Sequence, residues 1–299
     1  DNEVVVEGLV PQSIKFMVFA NMDIANISNL TSENISTQAL PLNAEKGFVV
    51  AEGLPMASKL VSDITLVSGN NYYGYDEDEM TDAATNGKFS IGQPLPLFRN
   101  VARVDLEAVK LDMAKSDYVS GTATFQYTGV SIKDAADKAY TSGAIDATAG
   151  HVSPVGETYA FYKNVVSETL TKKTQVFSST SEAVEVNAEK AYYYVLANTQ
   201  SGEGSTPTEL VVTGKFSLTN AKKAGSDNTY TLAERESSYP IVIGVTGMTK
   251  SVDIEKNKVY QITLLVAGPG KTDGGDPAKF YVKTKVADWE TVDQIAPVK

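Results

Sequence analysis

Few residues in this chain have the types and spacing that catalysis or metal binding requires. The sequence has 299 residues, with one histidine (His151) and no cysteine. Zinc and iron sites usually take several His or Cys ligands, and thiolate chemistry requires Cys, so the composition argues against both. A Ser-His-Asp triad would have to use His151, yet the chain has no Gly-x-Ser-x-Gly turn to present a nucleophile.

Two segments imitate binding motifs without their spacing. Gly270-Lys271-Thr272 resembles the end of a phosphate loop, but Leu265 stands where that motif needs its first glycine. The acidic run Asp76–Glu79 could hold calcium, but the EF-hand spacing and its glycine are missing. We interpret the first segment as a turn and the second as a solvated loop. We therefore expect no cofactor and no metal, and no segment points to the paired carboxylates of a glycoside hydrolase.

The charge balance limits the class of partner. With 26 basic and 37 acidic side chains the formal net charge is −11, which argues against nucleic acid as a ligand. No apolar run approaches the roughly 18 residues that a membrane-spanning helix needs. Arginine occurs only at Arg99, Arg103 and Arg235. This scarcity is either compositional drift or the result of selection against Arg-specific proteolysis.

Short apolar segments, rich in Val, Tyr, Phe, Ile and Thr and bounded by turn residues, run through nearly the whole chain. This pattern predicts an all-β protein built as an antiparallel sandwich. Helical periodicity is weak, with short helices possible only at 54–66 and 132–140. The predicted strands are 4–10, 13–21, 46–53, 88–92, 101–111, 118–132, 157–166, 190–198, 208–218, 228–234 and 239–245, followed by a C-terminal hairpin.

A domain boundary is predicted near residues 92–98, where GQPLPLF contains two prolines. It divides the chain into an N-terminal domain, 1–95, and a C-terminal domain, 96–299. The segments Met17–Asn21 and Tyr194–Asn198 share the form aromatic or Met, Val, apolar, Ala, Asn. This weak internal repeat suggests two related domains.

The C-terminal hairpin carries the candidate interaction strand. In its second strand Phe280, Val282, Thr284 and Val286 share one face, and Trp289, the only tryptophan, ends it. Val292, Ile295 and Val298 lie beyond. Two alternatives stand open: the whole segment from Phe280 is donated to another molecule, or Phe280–Trp289 closes its own domain and only the last ten residues are donated.

Several motifs, in order, resemble the fimbrillins, the type V pilins of Bacteroidales-type bacteria. The form Arg-x-x-Ala-Arg-Val, which opens the family's C-terminal domain, is present as Arg99, Ala102, Arg103 and Val104. It is followed by KAYYYVLANTQ and PTELVVTGKF within 190–216, NKVYQITL at 257–264 and VADW at 286–289. The resemblance covers roughly residues 13–299.

The resemblance implies a fold and a function. Fimbrillins have two transthyretin-like (Ig-like Greek-key) β-sandwich domains in tandem and no enzymatic activity. They begin as lipoproteins exported to the outer membrane, and an Arg- or Lys-specific protease removes an N-terminal strand. The C-terminal strand of a neighbouring subunit then fills the vacated groove. The expected partners are identical or related pilin subunits, with possible anchor and tip subunits and a host or bacterial surface ligand.

The resemblance also yields two expectations about this particular chain. Only one predicted strand precedes Lys15–Asn21, so we expect a processed or truncated N-terminal domain whose lipid-anchor cysteine lay in the removed part. We expect a structural shaft subunit of a cell-surface fimbria that also supports adhesion. The alternative is a tip adhesin or glycan-binding protein on the same fold, which would use exposed aromatic residues around Tyr72, Tyr73 and Tyr75.

Overall fold

The fold is all-β in the computed structural model, as the sequence predicts. The structure describes residues 5–22, 31, 33–42, 48, 53–69, 71, 73, 95–152, 171–187, 191–200, 202–246, 250–251, 253–270 and 280–289. Within these ranges the only helices are two short 3₁₀ turns, Ile35–Thr37 and Met113–Lys115. No helix among the described residues is both long and apolar enough to cross a membrane.

The N-terminal part of the described chain contains six short strands. They are β1 (Ser13–Phe16), β2 (Phe19–Ala20), β3 (Ala39–Pro41), β4 (Met56–Ala57), β5 (Val61–Thr65) and β6 (Phe98–Arg99). Strands β1 and β5 form a two-stranded ribbon, and β2, β4 and β6 form a small sheet. Among the described residues, β1 thus has a strand partner on one side only.

The remaining strands are longer. They are β7 (Ala102–Leu111), β8 (Tyr118–Lys133), β9 (Ala135–Ala136), β10 (Lys138–Tyr140), β11 (His151–Val152), β12 (Lys172–Ser178), β13 (Val184–Asn187), β14 (Ala191–Val195), β15 (Glu209–Lys223), β16 (Thr229–Val242), β17 (Val245–Thr246), β18 (Lys250–Ser251), β19 (Lys258–Val266) and β20 (Phe280–Asp288). One sheet has the order β12-β8-β15-β16. In the other, β7 pairs with β13 and β14 on one side and with β19 on the other, and β20 follows β19.

The two sheets face each other across one core. Its largest fully buried side chains come from both sheets and include Tyr193, Tyr260, Phe125 and Phe216. The buried phenols have partners, since Tyr193 donates to the Val130 carbonyl at 2.9 Å and Tyr260 donates to the Asp253 carbonyl at 3.1 Å. These aromatic side chains therefore belong to the core.

One glycine makes room for a core ring within the sheet β12-β8-β15-β16. A Cβ on Gly214 of β15 would lie 2.3 Å from the Phe125 ring and 2.5 Å from the Gln126 carbonyl. An alanine there would force the buried Phe125 ring out of its position. Gly214 therefore allows the ring to lie directly against the β15 backbone.

The predicted domain boundary at residues 92–98 stays a prediction. Described strands on its two sides pair with each other. β6 pairs with β4, and β3 pairs with β10 of the C-terminal part. The Asn100 side-chain amide donates to the Thr141 carbonyl at 2.5 Å, while its backbone N–H donates to the Pro55 carbonyl at 2.8 Å. Both parts of the chain are therefore joined by backbone hydrogen bonds at this junction.

Several local predictions are corrected by the structure. The possible helices at 54–66 and 132–140 are wrong, because these segments contain β4 and β5, and β9 and β10. The predicted strand 4–10 is wrong over its described part, since residues 5–10 form no strand and are exposed. Strands 228–234 and 239–245 are largely one strand, β16, which pairs with the long β15, in unbroken register from Glu209↔Val242 to Phe216↔Arg235. The predicted strands 88–92 and 157–166 lie outside the described residues, as does most of 46–53.

Candidate functional site

The C-terminal hairpin is present, and its second strand, β20, lies at the edge of a sheet. It pairs antiparallel with β19 along its whole length, from Val266↔Phe280 to Lys258↔Asp288. Its other edge has no strand partner within the part of the chain that the structure describes. In this structure Phe280–Asp288 therefore closes its own sheet.

The side chains of β20 alternate as the sequence predicts. Phe280, Val282, Thr284 and Val286 are half-buried, and of these Phe280, Val282 and Val286 pack against the core. The alternate side chains are exposed and include Lys283 and Lys285. Lysines on an edge strand oppose uncontrolled pairing with other sheets. These lysines therefore make further strand pairing at the outer edge of β20 less favourable.

Aromatic contacts attach the first half of β20 to the opposite sheet. The Phe280 ring meets the Tyr239 ring edge to face, with centroids 5.9 Å apart, and Tyr239 meets Phe125 in the same way at 5.6 Å. Burial raises the pKa of Tyr239 far above its usual value, so this phenol stays neutral over the physiological range. The three rings form a continuous row across the sandwich.

Trp289 attaches the other end of β20. Its backbone N–H donates to the Asn257 carbonyl at 2.9 Å, and the Asn257 N–H donates to the Val101 carbonyl at 2.9 Å. Its ring stacks on Tyr194, with centroids 5.6 Å apart and planes inclined by 2°. The guanidinium carbon of Arg99 lies 4.5 Å from the Trp289 ring centroid. Trp289 is thus held between a cation and a buried tyrosine.

The Arg-x-x-Ala-Arg-Val segment supplies part of this arrangement. Ala102 and Val104 are fully buried in β7, whereas Arg103 points to the outer face of the sheet. There Arg103 pairs with the buried Asp105 at 2.6 Å and lies 5.0 Å from the Tyr192 ring centroid. The segment therefore starts the central strand of the sheet and places both arginines on aromatic rings.

The structure brings together some of the predicted site residues and leaves others aside. Trp289 and Arg99 are in contact, whereas Val292, Ile295 and Val298 lie outside the described residues. Tyr194, Asn257 and Tyr239 were not expected from the sequence as contacts of the C-terminal strand and its end. For Asn257 the sequence offered one signal, its position directly before the strand that begins at Lys258. Asn readily adopts the left-handed conformation that Asn257 has here (φ 56°).

The residues considered for chemistry are not assembled into a site. His151 is exposed on β11, and the described residues contain no group of three or more His, Cys, Asp or Glu able to hold a metal ion. A Cβ on Gly270 would lie 2.6 Å from the Ser238 carbonyl, so this glycine serves close packing. Lys271, Thr272 and the acidic run 76–79 lie outside the described residues.

Of the three tyrosines considered for the adhesin alternative, the structure describes only Tyr73. Tyr73 meets Phe16 of β1 edge to face, with ring centroids 4.9 Å apart. Tyr72 and Tyr75 lie outside the described residues. Tyr73 is thus involved in packing within the N-terminal region.

The geometry described above is an all-β sandwich whose C-terminal edge strand, β20, is anchored by aromatic contacts at both ends. The family model "Major fimbrial subunit protein (FimA)" matches residues 3–93. The major fimbrium subunit FimA type-2 of Porphyromonas gingivalis is 27% identical over 319 residues, covering 94% of this chain and 76% of the relative.

Two solved structures share the fold. A cell adhesion protein of Parabacteroides distasonis has a TM-score of 0.59 at 22% identity, over 94% of this chain and 84% of that one. A fimbrilin of P. gingivalis has a TM-score of 0.56 at 20% identity, over 94% and 81%. The resemblance to the fimbrillins is confirmed, and the matched family consists of structural fimbrial subunits rather than enzymes.

Proposed function

We propose that this chain is a structural shaft subunit of a bacterial cell-surface fimbria and that it polymerises by donor-strand exchange. The contrast between its two parts carries the proposal. The C-terminal part has a closed core of two facing sheets, whereas the described N-terminal strands form small sheets in which β1 is paired on one side only. Unpaired strand edges are what a donated strand can complete.

The proposed subunit consists of two transthyretin-like domains, 1–95 and 96–299, with the acceptor groove in the first. The pairing of β20 with β19 supports the narrower of the two donor alternatives. In that alternative Phe280, Val282, Val286 and Trp289 stay in their own subunit. Residues 290–299, with Val292, Ile295 and Val298, pass to the next subunit.

The energetics of such an exchange are those of strand addition. Burying Val292, Ile295 and Val298 gives roughly 5–9 kcal/mol at about 1.5–3 kcal/mol each. The costs of association and ordering take a large part of this. Main-chain hydrogen bonds along the donated strand add to the remainder, which can still hold a filament together.

We propose the same maturation as in the resembling family. The precursor would be lipidated and exported to the outer membrane, and an Arg- or Lys-specific protease would release the groove by removing an N-terminal strand. The partners would be identical or related subunits, with anchor and tip subunits at the ends and a surface ligand for adhesion. The family match and the similarity to a major fimbrial subunit support this.

Deletion of residues 290–299 tests the proposal. The starting material is a version of the chain with its natural upstream residues, incubated with trypsin and analysed by SDS gel and by mass in solution. We expect SDS-resistant ladders from the full chain, and a folded monomer without ladders from the deletion variant. The double variant Lys283→Ala/Lys285→Ala, on the exposed face of β20, is the matched control and should still form ladders.

Two results would decide against parts of the proposal. Ladders from the deletion variant would show that the donor segment lies elsewhere. A full-length chain that stays monomeric after trimming would instead favour the tip or glycan-binding alternative, in which strand exchange along a shaft is not required.

A further inference from the structure

Trp289 stands at a point where three parts of the fold meet. It follows β20 directly, it stacks on Tyr194 of β14, and its ring lies under the guanidinium of Arg99 in β6. Arg99 is paired through its backbone with Met56 of β4, in the small N-terminal sheet. A single side chain therefore connects the end of the C-terminal strand with both parts of the chain.

The indole reaches across two strands to make these contacts. Trp289 extends the β20 edge, and Asn257 and Val101 lie between its backbone and β14, joined by the hydrogen bonds Trp289 N–H to Asn257 O and Asn257 N–H to Val101 O. The ring lies flat on the outer face of the sheet, parallel to that of Tyr194. Tyr194 is itself buried, 5% exposed, so the ring rests on a fixed surface.

A planar guanidinium stacked on an indole is among the stronger cation–π pairs, because the large ring face and the delocalised charge match. Arg99 is half-buried, which strengthens the contact relative to one in water. The Arg99 guanidinium and the Tyr194 phenol are held by two different strands, β6 and β14. Moving Trp289 away from the sheet would therefore break its contacts with both. A strand that peels from the Trp289 end, as when the residues beyond it are pulled, would have to break this cluster first.

We propose that the cluster of Trp289, Tyr194 and Arg99, called here the clasp, sets the boundary between the strand that a subunit keeps and the tail that it donates. The inference rests on the proposed donor role of residues 290–299 and assigns positioning roles to Trp289 and Arg99. Because Arg99 belongs to the N-terminal sheet, tension on the tail is carried to the same region that accepts the next subunit's strand.

Hydrogen exchange of the full-length monomer, followed by mass spectrometry, tests the clasp without any polymer. We expect Trp289→Ala and Arg99→Ala to raise exchange rates at 286–289 at least tenfold, and Trp289→Phe to keep them near the wild-type rates. Tyr281→Ala is the matched control. It removes an aromatic ring of the same strand that also faces a cation (Lys115 Nζ, 5.6 Å from its centroid), but at the far end of β20. It should leave 286–289 unchanged.

A second readout uses the only tryptophan of the chain. We expect Arg99→Ala to raise the Stern–Volmer constant for acrylamide quenching about twofold, while Arg99→Lys, which keeps the charge but not the planar group, falls between. Exchange rates at 286–289 within twofold of wild type in both alanine variants would overturn the inference, whatever the polymer does.

Assembly separates this inference from the proposed function. In the trimmed Trp289→Ala and Arg99→Ala variants, SDS-resistant ladders should be at least tenfold less abundant than in the wild type. The reason is that a β20 strand that peels away no longer fixes the start of the tail. Trp289→Phe should form ladders as the wild type does. Normal ladders from both alanine variants would overturn the boundary role. If the wild type forms no ladder, the proposed function fails, and the exchange experiment still decides whether the clasp holds the strand.

Discussion

The Tyr239 hydroxyl donates a 2.9 Å hydrogen bond to the Gly268 carbonyl, which joins β16 of one sheet to the end of β19 in the other. Tyr239 is fully buried, and so is this hydrogen bond. Because a buried carbonyl that loses its donor keeps its desolvation cost, the bond matters more to stability than an exposed one.

We therefore expect Tyr239→Phe to lower the free energy of unfolding by about 1–2 kcal/mol. Tyr281→Phe is the control, since the Tyr281 hydroxyl donates to the Lys115 carbonyl at 3.2 Å in an exposed position, and should change stability by less than about 0.5 kcal/mol. Urea unfolding of the two variants measures both. Equal losses would mean that burial of the bond contributes nothing.

Buried tyrosines also predict loss of stability at alkaline pH. Burial raises the pKa of Tyr194, Tyr239 and Tyr260 above the usual value of about 10. The unfolded chain then releases these protons at lower pH than the folded chain. Their stabilising effect is therefore complete below pH ~10 and is lost as the pH rises further.

The expected slope above pH ~10 is at most about 1.4 kcal/mol per pH unit for each of these tyrosines. Urea unfolding at pH 8, 10 and 11 measures it. Tyr239→Phe should flatten the slope, because phenylalanine has no proton to release. A free energy of unfolding that is the same at pH 8 and pH 11 would contradict this assignment.

The long strands could be predicted from the sequence because their residues alternate and turn residues bound them. β7, β8, β15 and the hairpin β19–β20 are found within a few residues of the predicted ranges. The break predicted at 235–238 does not occur, because in β16 these residues stay in register with β15, for example Glu236 with Lys215. Polar residues in a strand indicate an outward face as readily as a turn.

The failures have a common physical cause. Val5, Val6 and Val10 have strong β-propensity, yet they are between 61% and 68% exposed and form no strand, since propensity cannot supply a partner edge. The contact of Arg99 with Trp289 joins residues that are distant in the chain. No local pattern contains that information, because it depends on how the sheets are ordered.

A buried amide network near the end of the core gives a further prediction. The Gln200 side chain donates to the Thr208 and Ile243 carbonyls at 3.0 and 2.9 Å and accepts from the Thr208 N–H at 2.8 Å. Gln200→Leu would remove the side-chain partner of the Thr208 N–H and of the Ile243 carbonyl, at about 1–3 kcal/mol each before relaxation. The Thr208 carbonyl would still accept from the Ile243 N–H at 3.1 Å. We expect a loss of roughly 3–5 kcal/mol in urea unfolding.

Gln126→Leu is the matched control for the amide network, because Gln126 is only half-buried and points away from the core in β8. It should cost less than about 1 kcal/mol. A similar loss in both variants would indicate that leucine is poorly tolerated at either position, rather than that the network stabilises the fold.

The three arginines offer a prediction about proteolysis. Arg99, Arg103 and Arg235 all lie in paired strands, and Arg103 also has an ion pair with Asp105. A protease needs an extended segment free of other pairing, so cleavage at these sites requires local unfolding. We expect an Arg-specific protease to cut the native chain at least a hundredfold more slowly than the urea-unfolded chain.

A Lys-specific protease provides the comparison, since Lys59 is exposed in the short connection between β4 and β5, outside any paired strand. It should cut the native chain readily at that connection. Rapid cleavage at any of the three arginines under native conditions would remove the structural basis for the idea that arginine is scarce because of proteolysis.

The parallel pairing of β7 with β19 has a consequence for how the chain reaches its fold. Arg103 pairs with Val259 and Leu111 with Val266, so the centre of one sheet is made from segments far apart in the sequence. Contacts between residues so far apart in sequence form slowly, because a long loop must lose conformational entropy before the contacts can stabilise the fold. A chain emerging from a ribosome or through a membrane cannot complete this sheet until Lys258–Val266 has followed. Closure of the C-terminal sandwich is thereby timed to the arrival of the same hairpin that we propose to link one subunit to the next.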